Sequence, residues 1–243
     1  MPDSTASGDF LGPIIHAGLF ALVILIVLFI QSIVSWGIII GKYRMLRRAR
    51  RQTGELISRF GHRLRLGDYE ATARQLRDSP LSALLLAGVK EWESLTSQFP
   101  ARLRRPELLQ QLIPNVTEAM ERAASREYER LEKSVSFLAI TTSVAPFLGL
   151  LGTVQGVLRS FMEMRGEEFV TLQKIAPGIS DALITTVIGL LVAIPAALFY
   201  NYFVARVRDL GSEMDRFTSE LTGIFRREAV SAHANDAGQE SSE

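Results

Sequence analysis

Long uncharged runs alternate with densely charged ones along the 243 residues. The first run lies between Asp9 and Lys42, 32 residues without a formal charge, and its apolar centre extends from Ile14 to Ile40. The second runs from Ser134 to Leu158 and the third from Lys174 to Arg206, where Asp181 is the one carboxylate. About 20 apolar residues in a helix cross a bilayer core, so each run predicts a membrane span. The first is read as a retained anchor: its apolar stretch is long for a signal peptide, and no basic residues precede it.

The polar segments read as helical too. Leu56, Phe60 and Leu64 suggest a short amphipathic helix. Pro80, Pro100, Pro106 and Pro114 divide the middle into short helices and turns. Asn115 and Glu118 have the spacing of a capping box. Met120, Ala124, Tyr128, Leu131 and Val135 then recur at helical spacing, which predicts one helix from about 115 to 161. At 1.5 Å per residue it would measure about 70 Å, more than twice a bilayer core. Phe203, Val207, Leu210, Met214, Phe217, Leu221 and Ile224 form a heptad seam. After Val230 the chain is small and polar, a composition that predicts disorder.

The expected fold is therefore all-α, with a tail at 1–13, spans at 14–41, 134–161 and 176–204, and a polar helical region at 42–133. A loop at 162–175, an amphipathic helix at 205–230 and a disordered tail at 231–243 complete it. Flanking charge orients the spans. No Lys or Arg precedes the first, whereas Lys42, Arg44, Arg47, Arg48, Arg50 and Arg51 follow it. Arg206, Arg208, Arg216, Arg226 and Arg227 follow the third. The amino terminus is expected outside and the carboxyl terminus in the cytoplasm.

Composition removes several functions. The 27 basic and 26 acidic residues nearly cancel, so no nucleic-acid partner is expected. The chain has no cysteine, and His16, His62 and His233 lie far apart, which argues against a metal centre. No nucleophile–base pair or phosphate loop points to an enzyme, and no cofactor is expected.

Chemistry concentrates in the second and third spans. Thr142, Ala145, Gly149, Thr153, Gly156 and Ser160 fall on one helical face, with Gly152 and Gly156 in a GxxxG step beside it. Ala182, Thr186, Gly189, Ala193 and Ala196 line one face of the third span, and Pro195 is placed to bend it. Small faces alone mean helix packing, and a lone threonine in a span bonds to its own helix. Two matched threonine faces point further, to a polar path. Two roles fit Asp181. A carboxylate in a span marks function, but Pro177 resembles a helix start, and the helix dipole would favour an acid in the turns just after it. No titratable group lies mid-span, and threonine hydroxyls hold no proton near neutral pH. Proton transport would thus need oligomers and a carboxylate from a partner.

The segment from Ala145-Pro146-Phe147-Leu148-Gly149 through Gly152-Thr153-Val154-Gln155-Gly156 resembles the second-span signature of the MotA/TolQ/ExbB proton-channel family. Ala176-Pro177-Gly178-Ile179-Ser180-Asp181-Ala182 through Thr186, Gly189, Ala193 and Pro195 is similar to its third-span signature. The resemblance covers about 115 to 210 and favours the TolQ branch, with ExbB next. It implies a homopentamer in the bacterial inner membrane, surrounding a TolR- or ExbD-like single-span partner that brings the titrating aspartate. It further implies a TolA- or TonB-like protein as the recipient of work drawn from the proton-motive force. The pathway residues would be Thr153, Thr186 and Asp181. Pro146, Gly149, Gly152, Gly156, Ala182, Gly189, Ala193 and Pro195 would pack around the pore. The family's third-span acid is usually Glu, and Gln155 stands where close relatives often carry Trp. The alternatives are ExbB-like service to uptake, or a scaffold that conducts nothing.

Overall fold

A computed structural model describes residues 19–60, 66–98, 111–165 and 172–240. Among them the chain is helical: α1 (Leu19–Phe60), α2 (Leu66–Gln75), α3 (Pro80–Gln98), α4 (Ile113–Glu132), α5 (Val135–Glu163) and α6 (Leu172–Glu240). Three stretches are long and apolar enough to cross a membrane: Leu19–Arg59, Ile113–Glu163 and Gly178–Ala229. The expectations for the tail at 1–13 and for Leu64, Pro100 and Pro106 fall outside the described residues.

The chain divides into two compact units. The first takes the described parts of Met1–Gly41 and Ser134–Phe203. Its apolar centre is Ile24 and Leu28 of α1, Ala145 of α5, and Val192 and Ala193 of α6, with Leu148 and Ile188 against them. Trp36 meets Phe199 edge-on at 6.3 Å between ring centroids. Outside this seam the helices are apolar and exposed, as at Phe29, Phe147, Leu151, Leu183 and Leu191. Such a surface is stable facing lipid or another apolar helix.

The second unit comprises Lys42–Lys133 and Val204–Glu243. Phe203 at its border, then Val207, Leu210, Met214, Phe217 and Leu221, are buried as the heptad pattern requires. The seam then continues through Phe225 and Ala229. Ile224 is only half-buried, because two four-residue steps replace the heptad's three-four alternation. Trp92 of α3 packs on Phe225, with ring centroids 5.6 Å apart. Lys42 is buried, 7% exposed, and its amine donates to the Arg130 carbonyl at 3.2 Å. Burial, reinforced by the like charges of Arg130 and Lys133, holds this amine below the usual lysine range.

Six local expectations change. The helix expected over 115–161 is two helices, broken at Lys133 and Ser134, where Ser134 is left-handed with φ 71°. Such a residue costs about 1–2 kcal/mol, and no Gly or Pro marks the place. α4 begins at Ile113 with Pro114 in its first turn and no side-chain cap, so the capping box at Asn115 does not form. Its buried face is Val116, Ala119, Met120 and Ala123, while Ala124 is half-buried and Tyr128 exposed. Leu56 and Phe60 extend α1 instead of making a short helix of their own. α6 starts at Leu172, before Pro177, and continues to Glu240 through the segment whose composition predicts disorder. That segment has no proline, and its alanines favour helix.

Candidate functional site

The site lies in the first unit, where α5 and α6 meet through their small residues. A Cβ placed on Gly149 would sit 2.8 Å from the Thr185 carbonyl oxygen and 3.0 Å from the Thr186 Cα. On Gly152 it would sit 2.5 Å from Thr185 Oγ1, on Gly156 2.6 Å from the Ala182 Cβ, and on Gly189 2.6 Å from the Ala145 carbonyl oxygen. The glycines therefore permit backbone-to-backbone approach, the usual source of helix adhesion where lipid offers no hydrophobic drive.

That approach brings hydroxyls together. Thr153 Oγ1 and Thr186 Oγ1 share a hydrogen bond. Thr153 also lies 3.2 Å from the Gly149 carbonyl and 3.1 Å from the Ala182 carbonyl across the interface. Thr186 donates to the Gly149 carbonyl at 3.1 Å. Thr185, wholly buried, reaches the Gly149 carbonyl at 3.1 Å and the Ala182 carbonyl at 2.7 Å. A hydroxyl has one proton but accepts two bonds, so these contacts exceed what three donors satisfy at once. The cluster consequently admits more than one pattern of donors and acceptors.

The sequence-predicted residues divide among four places. Thr153, Thr186, Gly149, Gly152, Gly156, Ala182 and Gly189 come together at the α5–α6 contact, packed on one another within one chain. Ala193 sits in the apolar cluster with Ala145 of α5 and Ile24 and Leu28 of α1. Pro146 and Pro195 are half-buried inside their helices. Asp181 precedes Ala182, half-buried, and joins no described residue by hydrogen bond or ion pair. It is the tenth residue of α6, beyond the first turn where the helix dipole acts. The dipole thus gives no account of a carboxylate there.

Sequence reasoning missed Thr185, which shares the cluster. It also missed a second polar contact, where Gln31 Nε2 and Ser35 Oγ of α1 lie 3.3 and 3.4 Å from Thr141 Oγ1. Thr141 donates to the Phe137 carbonyl at 3.0 Å, so it accepts from α1. The signal was available: Gln31 and Ser35 stand four apart, on one face of α1. Among the described residues no group of His, Cys, Asp and Glu could hold a metal ion.

A family model described as the MotA/TolQ/ExbB proton channel family matches residues 77–216. The chain is 35% identical over 227 residues to the Tol-Pal system protein TolQ of Haemophilus influenzae, covering 93% of this chain and 97% of that one. It is 33% identical over 223 residues to the Tol-Pal system protein TolQ of Pseudomonas aeruginosa, covering 91% and 93%. The biopolymer transport protein ExbB of Pseudomonas putida is 28% identical over 214 residues, 88% of this chain and 62% of that one.

Proposed function

This chain belongs to the MotA/TolQ/ExbB proton channel family, and on that premise we propose that it is the multi-span subunit of a proton-driven motor of the Tol-Pal type. It is an inner-membrane protein with three apolar helices. Similarity to TolQ proteins over nine-tenths of the chain favours Tol-Pal service over ExbB-type uptake.

Several copies, five by family resemblance, surround the span of a TolR-like partner. That partner brings the carboxylate which takes up and releases the proton. Thr153 and Thr186 pass hydrogen bonds toward it, and Asp181 stands on the same route toward the outer side. The amino terminus is outside and the carboxyl terminus cytoplasmic, as the basic flanks require. One charge crossing 100 mV supplies about 2.3 kcal/mol, enough to bias the partner between two packings. The work passes to a TolA-like protein that reaches the outer membrane, for envelope integrity and constriction at division.

The observation that carries this reading is the hydrogen bond between Thr153 and Thr186, made across two apolar helices whose glycines bring the hydroxyls together. Thr153→Val and Thr186→Val keep the branched shape and remove the hydroxyl. The variants should reach the membrane and assemble with the partner, yet fail to restore detergent resistance to cells lacking the chain. Full restoration by both would refute the pathway.

A further inference from the structure

The second unit holds a groove of about 570 Å³ between α2 and α3, which a short turn connects. Ser82, Leu86 and Lys90 line it from α3, and Arg74 and Arg77 line the opposite wall. Two acids share it. Glu70 pairs with Arg74, and Glu93 stands 11 residues along α3 from Ser82, about 16 Å away. The end at Ser82 and Arg77 is therefore the basic one.

Ser82 points to a ligand at that end. It is 1% exposed, and its hydroxyl is buried with no hydrogen-bond partner among the described residues. Other serines in the helices of this unit bond a carbonyl one turn back, as Ser58 does to Glu55, Ser97 to Ser94 and Ser212 to Arg208. Ser82 is the third residue of α3, so the carbonyls behind it belong to the turn. That of Ser79 already accepts the Ser82 N–H at 3.1 Å. An unpartnered buried hydroxyl is costly, and native proteins rarely keep one. Serine turns among staggered positions about Cα–Cβ without moving the backbone, which gives this hydroxyl access to the groove.

Charge sets what it meets there. Arg77 Nε donates to the Arg74 carbonyl at 3.3 Å, which ties the guanidinium to this wall and leaves its Nη donors for another acceptor. The first turn of α3 lies at the same end, where the helix dipole favours an anion. A hydroxyl donor, a guanidinium and a helix start together suit a group with several acceptor oxygens, as phosphate has. Anionic lipid carries the same group, but the level is wrong for it. Ser79 Oγ bonds Thr53 Oγ1 at 3.0 Å. Thr53 stands 11 residues beyond Lys42, where the apolar run ends, about 16 Å along α1. The headgroup layer is only about 5–8 Å deep on each side of the bilayer core.

We propose that the α2–α3 groove binds phosphate, free or as the terminal group of a small cytoplasmic solute, with Ser82 and Arg77 on its oxygens. The site is separate from the proton path and takes from the motor reading only the cytoplasmic placement of this unit.

The complex with its partner is purified in phosphate-free buffer and titrated with inorganic phosphate, read by calorimetry and by thermal unfolding. Phosphate should bind saturably and raise the unfolding midpoint, while sodium chloride at equal ionic strength should not. Arg77→Gln should weaken binding about tenfold, and Arg48→Gln, an exposed arginine on α1, should leave it unchanged. Ser82→Ala should weaken binding too, yet raise the midpoint in phosphate-free buffer, because it removes an unpartnered hydroxyl. A lower midpoint for Ser82→Ala in that buffer would show that the hydroxyl is satisfied within the chain, and would overturn the site. Absence of saturable binding, or equal losses in Arg77→Gln and Arg48→Gln, would overturn it as well. A midpoint that responds to phosphatidylglycerol nanodiscs and not to free phosphate would assign the groove to lipid, against the proposal. None of these failures touches the motor reading, which stands on the threonine variants.

Discussion

Replacing Gly149 with alanine tests the α5–α6 contact through one methyl group. The added Cβ would meet the Thr185 carbonyl oxygen at 2.8 Å, the Thr186 Cα at 3.0 Å and the Gly189 Cα at 3.3 Å. All three are backbone atoms of a packed helix, so no side chain can rotate away. Overpacking of this kind costs about 1–3 kcal/mol. Parting the helices also stretches the bonds that Thr185 and Thr186 donate to the Gly149 carbonyl, each 3.1 Å. In a membrane such bonds contribute about 0.6 kcal/mol apiece on average, so the sum is about 2–4 kcal/mol. Gly37 is the control: nothing lies within 4 Å of a Cβ placed there, and alanine favours helix over glycine by about 1 kcal/mol. The assay is unfolding of the detergent-solubilised protein in increasing dodecyl sulfate, followed by circular dichroism. Gly149→Ala should move the midpoint well down and Gly37→Ala should leave it level or raise it. Equal midpoints for the two variants would refute the close contact.

Thr185→Val should destabilise the same unit by about 1 kcal/mol, because it removes the hydroxyl that bonds the Gly149 and Ala182 carbonyls; an unchanged midpoint in the same titration would contradict the cluster. Lys42 predicts a pH effect. Its folded-state value lies below the ordinary 10.5, so the unfolded chain binds more protons in the interval between them, and stability there rises with pH. Wild type should therefore gain on Lys42→Met in thermal stability as pH climbs toward 10.5, and a gap that stays constant with pH would oppose this account. Gly152→Leu should prevent assembly, since even a methyl there would lie 2.5 Å from Thr185 Oγ1; a full-sized oligomer in native mass spectrometry would reject that expectation. Affinity purification should recover a TolA-like protein, and recovery of a TonB-like protein instead would move the chain to the uptake branch.

The spans were legible because absence of charge over twenty or more residues has few other physical explanations. The threonine and glycine faces were legible because small residues at helical spacing admit a backbone. What the pattern concealed was register and continuity. Met120 fits two phases of the α4 stripe, and only the neighbouring helices decide that Val116 and Ala123 go inward while Tyr128 does not. The break at Ser134 has no local cause in composition, for neither glycine nor proline stands there. Pro177 signalled a helix start because its missing N–H is harmless in a first turn. The chain instead carries it within α6, which removes the dipole argument for Asp181. Ala193 was placed on the small face of the third span by spacing, and it clusters with residues of both α1 and α5 because one helical stripe can be broad enough to serve two neighbours.

Proton flux separates a relay from a mere packing surface. The complex is purified with its partner from native membranes, reconstituted into vesicles enclosing a pH-sensitive dye, and exposed to an imposed gradient. Vesicles with the unmodified chain should change internal pH faster than empty ones, and the Thr153→Val, Thr186→Val double variant should fall to the empty-vesicle rate while remaining assembled. Flux through that variant at the unmodified rate would show that protons cross without these two hydroxyls.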